Sequence, residues 1–324
     1  MLHVLFGPLS RQQGSKLKSL RVKYIAFAKD TGAWPLIPTK AANLFRYVLW
    51  LPQHGIQSGW KGVMNYVTAI CNWNREMGFP DPREDVAFYW ARLRHNFKRL
   101  VVVRHPAMKL PLRPEMLDAM ALDADLSNDE DLRDTCMYFM LFFAGFRIGT
   151  VTDSPHALRF EDIAFLPELA QCDKVLICVR SSKTRPRAAG LPFWTAINRQ
   201  PGLRFCPVEL LQAHFIRAYR QRPDANLFQT AAGAPLPRRY FNTVLRRRLD
   251  VAQARFPAGV RFDLSRFSGI SFRKGCLSTL GALNVPGHRL ADHADHADVA
   301  SSRIYTVDTV SQRAGNSDLI ASAF

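Results

Sequence analysis

The feature that most constrains the fold is a proline-rich stretch about a third of the way along the chain. Residues 105–114 contain three prolines in ten positions. Proline fixes its own φ angle and disfavours a helical conformation in the residue before it, so this stretch is predicted to be an extended linker. We therefore expect two domains, the first over residues 15–105 and the second over residues 110–324.

The first domain is predicted to be a helical bundle, because its apolar residues recur at helical spacing. The predicted helices cover residues 18–29, 38–51, 59–77 and 83–104. Gly32 follows the first of them, and Gly78 with Pro80 follows the third, as expected at helix ends. Basic residues lie between the apolar stripes, so the bundle is expected to carry positive charge on its surface.

The second domain is predicted to be mostly helical with a small β-sheet, which makes the chain mainly α with an α+β second domain. Residues 174–179 and 190–194 are predicted to be two strands of a hairpin joined by the basic turn 181–188. The acidic segment 123–134 is expected to be a solvated turn. The predicted helices cover residues 115–122, 135–146, 208–221, 237–254 and 272–283, with a further helix carrying Tyr305.

The charge of the chain indicates an anionic partner. The 324 residues carry a formal net charge of +17, and their 48% hydrophobic content is that of a folded protein. The basic residues are dispersed along the chain, with dense patches at 92–104, 180–187 and 238–248. Positive charge spread over folded domains favours double-stranded DNA over a membrane surface, which a single polybasic anchor would serve.

The remaining composition is typical of a soluble intracellular protein. The longest apolar stretch, residues 136–146, is too short to span a bilayer, and the N-terminus does not resemble a signal peptide. The six cysteines form no Cys-x-x-Cys pair, so we expect them to be reduced and buried in a reducing compartment.

Five residues in a fixed order suit attack on a phosphodiester by a tyrosine. They are Arg147, Lys183, Arg273, His296 and Tyr305. A phenolate that attacks phosphorus in line requires that the charge of the pentacoordinate transition state be neutralised, and that the leaving 5′ oxygen receive a proton. The sequence therefore predicts phosphoryl transfer on DNA without a metal or another cofactor.

Each of the five residues is given a role by its chemistry. Arg147 and Arg273 would clamp the phosphate, because a guanidinium donates two parallel hydrogen bonds and keeps its charge. Lys183, at the tip of the predicted hairpin, would protonate the leaving oxygen. His296 would donate to a non-bridging oxygen and position Tyr305, the predicted nucleophile.

The order and spacing of these residues resemble the tyrosine recombinases of the phage-integrase family. The resemblance covers roughly residues 15–310, and the first domain resembles the core-binding domain of that family, notably at 66–70. The segment 267–275 is most similar to the Crypton and DIRS-like enzymes of eukaryotic mobile elements. The motifs that carry the resemblance are Ala144-Gly145-Phe146-Arg147, Ser182-Lys183-Thr184, Phe272-Arg273-Lys274-Gly275, Asp295-His296-Ala297 and Arg303-Ile304-Tyr305-Thr306.

The resemblance implies a C-shaped clamp made of the core-binding domain and the catalytic domain. It implies site-specific recombination or integration of DNA, through a 3′-phosphotyrosyl intermediate at Tyr305, by a homotetramer bound to two duplexes. A mobile element is the expected source. The expected location is the nucleus if the source is eukaryotic, and otherwise the cytoplasm or nucleoid.

Two departures from the family pattern leave alternatives open. Ile270 occupies the position, three residues before Arg273, where the family usually has a histidine, and Thr150 replaces the acidic residue that commonly follows the first arginine by three positions. An isoleucine neither accepts a proton nor bonds a phosphate. The alternatives are a recombinase-derived DNA-binding protein whose catalysis has decayed, and a topoisomerase-like enzyme that relaxes DNA with the same tyrosine chemistry.

Two further patterns can be explained either by an ordinary structural role or by a functional one. The run of His and Asp at 291–298 could suggest a metal site, but no second ligand cluster accompanies it, and His293 is interpreted as a polar residue at a helix start. The run 246–248 is three arginines on a predicted helix. We favour contact of these arginines with DNA phosphates, which positions a protein without reading sequence.

Overall fold

The chain folds into two compact units that meet in sequence between Met108 and Lys109. This division falls within the predicted linker, while the roles predicted for the two domains stay predictions. The computed structural model describes residues 11–56, 59–100, 108–181, 192–218, 223–257 and 260–294.

Among its described residues, the first unit contains four α-helices, as the apolar spacing predicted. They are α1 (Arg11–Thr31), α2 (Ala41–Gln53), α3 (Trp60–Glu76) and α4 (Ala87–Leu100). Their inner faces form one apolar core that is rich in aromatic rings. The rings of Tyr24 and Tyr47 meet edge to face with centroids 4.9 Å apart, an arrangement that aromatic pairs prefer.

The second unit contains six further α-helices among the residues that the structure describes. They are α5 (Pro114–Leu122), α6 (Asp129–Phe143), α7 (Pro207–Ala218), α8 (Arg238–Ala252), α9 (Gly269–Ala282) and α10 (Gly287–His293). The central helix is α6, which packs against both α7 and α9. Most of its residues are buried, so the apolar run predicted over 135–146 does lie in the core.

A three-stranded antiparallel sheet completes the second unit. Its strands are β1 (Ile163–Leu166), β2 (Lys174–Val179) and β3 (Phe193–Asn198), in that order across the sheet. The pairing of β2 with β3 confirms the predicted hairpin, although the second strand begins at 193 rather than 190. The strand β1 was not predicted. The fold is therefore mainly α with a small sheet, as the sequence indicated.

The start of α6 corrects the prediction that residues 123–134 form a solvated turn. The helix begins at Asp129, and Leu132, Arg133 and Asp134 are buried within it. Asn128 caps the helix, because its side-chain oxygen accepts a hydrogen bond from the Glu130 amide at 2.9 Å. Acidic side chains are favourable in a first helical turn, so the acidic run marks a helix start rather than a loop.

The structure bears on the expected burial of the cysteines and on the expectation that no helix could span a membrane. All six cysteines are free and five are buried, with Cys178 partly exposed, as predicted. Within the described ranges, no helix is both long and apolar enough to cross a membrane.

Candidate active site

Arg147 lies just beyond the C-terminal end of α6, on a turn that a glycine makes possible. Gly145 has a φ of 59°, which places it in the left-handed region where residues with a Cβ are strained. Two residues later the chain is extended at Arg147 (φ −78°, ψ 147°), and a short 3₁₀ helix follows over Ile148–Thr150. Arg147 is half-buried. The motif containing Arg147 is thus a turn that carries the arginine out of the core helix.

Arg273 joins this turn to the chain that leads toward His296. It lies on α9 with only 3% of its surface exposed. One guanidinium nitrogen, Nη1, donates to the carbonyl oxygen of Gly145 at 2.8 Å, and Nη2 donates to the carbonyl oxygen of Ala294. These bonds orient the guanidinium between two segments that are distant in sequence. The first segment leads into Arg147, and the second ends two residues before His296.

The start of the second unit holds α9 in place by close backbone contact. A Cβ added to Gly275 would lie 1.9 Å from the carbonyl oxygen of Leu112, so only glycine fits there. The Leu112 amide donates to the carbonyl oxygen of Ser271 at 2.8 Å, and the Lys274 ammonium donates to the Lys109 carbonyl at 2.8 Å. The glycine of the motif 272–275 is therefore explained by packing, which fixes the helix that carries Arg273.

His293 forms a second link at this site. It ends α10, so the prediction that it starts a helix was wrong. Its Nε2–H donates to the carbonyl oxygen of Phe143 at 2.9 Å. Burial lowers the pKa of His293, and the charge of Arg273 lowers it further, which favours the neutral ring. The His293 ring thus attaches the end of α10 to the end of α6, a link that no local sequence pattern indicated.

The two residues that depart from the family pattern, Ile270 and Thr150, both lie among the described residues. Ile270 is half-buried in the first turn of α9, three residues before Arg273 and so on the same face of the helix. Thr150 is 7% exposed, and its amide donates to the carbonyl oxygen of Arg147 at 2.8 Å. Thr150 is therefore a buried neutral residue at the position where the family commonly has a carboxylate.

The other three predicted site residues lie outside the described residues. They are Lys183, His296 and Tyr305. Lys183 belongs to the connection between β2 and β3, whose last pair is Val179 with Phe193. The description ends at Ala294, two residues before His296. Of the five residues, the structure thus places Arg147 and Arg273 at one turn, and the positions of the remaining three stay predictions.

Several basic residues outside this site turn out to have acidic partners. Arg248 is 7% exposed and forms an ion pair with Asp131, so the prediction that it contacts DNA phosphates as part of a basic run was wrong. Its neighbours Arg246 and Arg247 are exposed. Arg180, in the patch 180–187, forms an ion pair with Glu161 at 2.8 Å. Counting basic residues therefore overestimates the charge available to a partner.

The part of the chain that the structure describes holds no group of three or more His, Cys, Asp or Glu side chains arranged to bind a metal ion. The candidate run 291–298 is described only as far as 294. The expected absence of a metal or another cofactor stays a prediction. In the described site, Arg147 lies on the turn whose Gly145 carbonyl oxygen accepts from Arg273, and the planar fork of a guanidinium suits an anionic group with several oxygens, such as a phosphate.

Comparison with known proteins gives a likeness of fold alone. No protein-family model and no curated protein matches the sequence. The structure is similar to a Tn1549 transposon integrase fragment in complex with circular intermediate DNA, with a TM-score of 0.58 and 14% identity over 97% of this chain and 95% of that chain. A lambda integrase dimer bound to a COC′ core site gives a TM-score of 0.55 at 12% identity, over 95% and 92% of the two chains.

A third neighbour is the XerH site-specific recombinase bound to its difH substrate. It gives a TM-score of 0.54 at 16% identity, over 91% of this chain and 76% of that chain. These neighbours are tyrosine recombinases or integrases, and the mainly helical fold with a three-stranded antiparallel sheet matches theirs. At such identities the likeness does not carry over activity, substrate or assembly.

Proposed function

We propose that this protein cleaves and rejoins DNA at specific sites, using Tyr305 as the nucleophile. The observation that carries the proposal is the placement of Arg273. Its buried guanidinium bonds Gly145, on the turn that presents Arg147, and Ala294, just before His296. The two arginines of the proposed clamp lie in a fold that the neighbours share. Structural similarity to site-specific tyrosine recombinases supports DNA recombination or integration in general.

The proposed step exchanges one phosphodiester for another. The Tyr305 phenol oxygen bonds to the scissile phosphorus as the bond to the 5′ oxygen breaks, which gives a 3′-phosphotyrosyl link and a free 5′ hydroxyl. The phenol proton passes to solvent water, and one proton from Lys183 reaches the 5′ oxygen. Arg147, Arg273 and His296 stabilise the charge on the non-bridging oxygens, a contribution of about 10²–10³ in rate for each well-placed donor. Attack by a 5′ hydroxyl of a partner strand reverses the step.

The proposed partner is double-stranded DNA, and the proposed assembly is a homotetramer on two duplexes. The net charge of +17 supports the first part, as do the neighbours that were solved in complex with DNA. Exchange between two duplexes needs four cleavages and hence four copies of Tyr305. A mobile element of the Crypton or DIRS-like type is the proposed source, with a nuclear location if the source is eukaryotic.

Covalent trapping tests the proposal directly. The protein is expressed in cells with its own flanking DNA, denatured in SDS and digested with nuclease, and the peptide containing Tyr305 is examined by mass spectrometry. We expect a nucleotide adduct on Tyr305 that is absent from Tyr305→Phe. Sequencing of the attached DNA before digestion would map the cleavage site.

Two controls decide how the trapping result is interpreted. Arg147→Ala should abolish the adduct while leaving the protein folded, because Arg147 is half-buried and lies on a turn. Arg204→Ala changes an exposed arginine outside the three basic patches and should keep the adduct. An adduct on another residue, or one that persists in Tyr305→Phe, would contradict the proposed nucleophile. A trapped site without sequence preference would favour a topoisomerase-like relaxing enzyme.

A second candidate function is DNA binding by a protein whose catalysis has decayed. The observation in its favour is Ile270, a carbon side chain on the same face of α9 as Arg273. The variant Ile270→His separates the two functions. If the wild-type protein forms no adduct while binding DNA in a salt-sensitive way, and Ile270→His restores the adduct, the decayed function is supported. An adduct in the wild-type protein would exclude it.

A further inference from the structure

The face of α9 that carries Arg273 also packs against the chain directly after Arg147. Gly269 begins α9 and lies four residues before Arg273, so the two residues are neighbours on one face of the helix. A Cβ added to Gly269 would lie 2.5 Å from the Cβ of Ile148. We propose that the contact between Ile148 and Gly269 sets the position of the Arg147 main chain relative to Arg273. The inference rests on the proposed function and adds two positioning residues, neither of which touches the reacting atoms.

The contact completes a two-point attachment of the turn to α9. The first point is the hydrogen bond from Arg273 to the carbonyl oxygen of Gly145, two residues before Arg147. The second point is the contact of Gly269 with Ile148, one residue after Arg147. With the first point alone, the turn would remain free to rotate about the bonded oxygen. Two points, one on each side of Arg147, fix the direction in which the main chain presents that arginine.

Ile148 is held firmly enough to act as the second point. It is 6% exposed and belongs to the apolar core of the second unit. Its carbonyl oxygen accepts from the Thr152 amide at 3.1 Å and from the Thr152 hydroxyl at 2.9 Å. The Thr150 amide donates back to the carbonyl oxygen of Arg147 at 2.8 Å. A shift of Ile148 therefore moves the main chain of Arg147 with it.

The beginning of α9 is held by bonds of its own. Gly269 is buried, and Ser271, in the same helical turn, is fully buried. The Ser271 carbonyl oxygen accepts from the Leu112 amide at 2.8 Å, and the Ser271 hydroxyl oxygen accepts from the Ser268 amide at 3.1 Å. Both partners of the contact thus belong to elements that other bonds fix, and the contact sets the spacing between those elements.

This close approach is what requires glycine at position 269, because the φ angle of Gly269 is not positive. Carbon atoms in ordinary contact are about 3.5–4.0 Å apart, so a Cβ at this position would drive the two elements apart by about 1 Å. The nearest atom is the Cβ of Ile148, which no side-chain rotation moves, and so the main chain has to yield. A misplacement of about 1 Å at a catalytic group costs on the order of 10²-fold in rate.

The contact also has a purely structural interpretation, in which it only fills the core. A structural role lowers the stability of the protein and leaves the rate per folded molecule unchanged. A positioning role lowers the rate at saturating DNA and leaves the affinity for DNA unchanged. Gly269→Ala separates the two roles when it is compared with a substitution that weakens the same core elsewhere.

The test measures single-turnover adduct formation on a duplex that contains the mapped cleavage site, with each rate divided by the folded fraction from thermal melting. We expect Gly269→Ala to slow the reaction about 10²-fold at saturating DNA, with the half-saturating DNA concentration within about threefold of wild type. Leu211→Ala is the matched control, because Leu211 is fully buried on α7 and its truncation weakens the same core. Its rate per folded molecule should equal that of wild type.

A double substitution tests whether the two residues act through each other. Ile148→Ala removes Cγ1 and Cδ1, which a Cβ at position 269 would meet at 2.8 and 2.6 Å, and so makes partial room for that Cβ. We expect the loss of rate in Gly269→Ala/Ile148→Ala to be smaller than the product of the two single losses by about threefold or more. The losses in Gly269→Ala/Leu211→Ala should multiply.

Crystal structures of the wild-type protein, Gly269→Ala and Leu211→Ala give a readout that requires no catalysis. We expect the distance between the Cα atoms of Arg147 and Arg273 to change by about 0.5–1 Å in Gly269→Ala, since the added Cβ needs that much space. The same distance should match wild type in Leu211→Ala.

Each outcome has a defined meaning. A wild-type rate per folded molecule in Gly269→Ala, losses that simply multiply in Gly269→Ala/Ile148→Ala, or an unchanged Cα distance would overturn the inference while the proposed function stands. No adduct from the wild-type protein would overturn the proposed function, and the positioning role would fall with it. In that case a shifted Arg147 in the crystals of Gly269→Ala would leave the contact as a structural one.

Discussion

The two ends of α6 hold buried arginines in different ways. Near its beginning, Arg133 is 5% exposed and pairs with the carboxylate of Asp134 at 2.8 Å. Tyr240 completes this cluster, since its hydroxyl accepts from Arg133 at 2.6 Å and donates to Asp134 at 3.2 Å. Just beyond the other end of α6, the turn at Gly145 is bonded by Arg273, which belongs to α9. Arg273 is 3% exposed and donates to the carbonyl oxygens of Gly145 and Ala294.

The difference teaches what each arginine is suited to do. A carboxylate partner neutralises a guanidinium, so the Arg133 cluster can fasten α6 to α8 and to the segment around Gln229 but offers little charge to a ligand. The two carbonyl bonds of Arg273 orient its guanidinium and join the turn before Arg147 to the residue that follows α10. The same helix has a structural arginine cluster at one end and a candidate binding cluster at the other.

The largest effect is expected from breaking the structural cluster. Arg133→Ala leaves Asp134 buried without its cation, and such a loss costs about 3–5 kcal/mol in free energy of unfolding. Denaturant unfolding measures it, and adduct formation per folded molecule should match wild type. A variant that retains stability but loses adduct formation would break the comparison.

The next largest effect is expected from replacing Arg273, which bonds the turn beyond the other end of α6. Arg273→Lys keeps a positive charge but loses the planar fork that bonds Gly145 and Ala294, so we expect adduct formation to fall by about 10²–10³-fold. The rate is measured by single-turnover trapping on the mapped duplex. The conservative change Arg204→Lys, at an exposed position outside the three basic patches, is the control. A fall of less than tenfold in Arg273→Lys would show that charge alone suffices.

A pair of glycines sharpens the comparison further. Gly145 and Gly233 have φ angles of 59° and 74°, and a Cβ at either would meet its nearest neighbour at an ordinary 3.5 Å. Gly145→Ala and Gly233→Ala should therefore cost a similar backbone strain, about 1–2 kcal/mol each. Only Gly145→Ala should also slow adduct formation, because it alters the turn that presents Arg147. Equal rates in the two variants would argue against the role of that turn.

The smallest effect concerns pH and two histidines, of which His214 is buried and His293 is half-buried. Burial lowers the pKa of His214 and of His293 below the ordinary 6.5. As pH falls from 7 toward 5, the unfolded chain takes up protons that the folded rings resist, so the free energy of unfolding falls, by less than about 1.4 kcal/mol per pH unit for each ring.

Replacing either histidine tests that expectation. His214→Gln and His293→Gln should each make the fall in stability with acid less steep, since a Gln amide can donate to the same carbonyl and does not titrate. Thermal melts at several pH values measure the slope. His293→Gln alone should also change adduct formation, because His293 bonds Phe143 at the candidate site. An unchanged slope in both variants would contradict the assignment of neutral rings.

Much of the fold was predictable because its signals are local. Apolar spacing located most of the helices to within a few residues, although α1 begins seven residues before its predicted start and α10 was not predicted. Alternation with a basic turn located the hairpin of β2 and β3. The strand β1 was missed because only four residues form it and its register depends on β2. The beginning of α6 was misjudged for a related reason. Burial of Arg133 and Asp134 depends on Tyr240 and Gln229, which lie about a hundred residues further on.

For the candidate site, the sequence suggested members but not the bonds between them. The motif around Arg147 and the one around Arg273 were singled out by order and spacing. No local pattern indicates that Arg273 bonds Gly145 across 128 residues, or that His293 bonds Phe143. Pairings of this kind arise from the packing of α6, α9 and α10 together. The assignments of Lys183, His296 and Tyr305 remain predictions.

The reach of the Arg273 bonds has a consequence for the timing of protein synthesis. Gly145 precedes Arg273 by 128 residues, and Ala294 follows it by 21. A ribosome makes the chain from its N-terminus, so the turn carrying Arg147 exists long before the two partners that complete it. A nascent chain that stops short of Ala294 lacks one of the carbonyl oxygens that orient Arg273. If the proposed function holds, a chain still being translated would bring positive charge to nucleic acid before Ala294 is made, and so before the proposed site is complete.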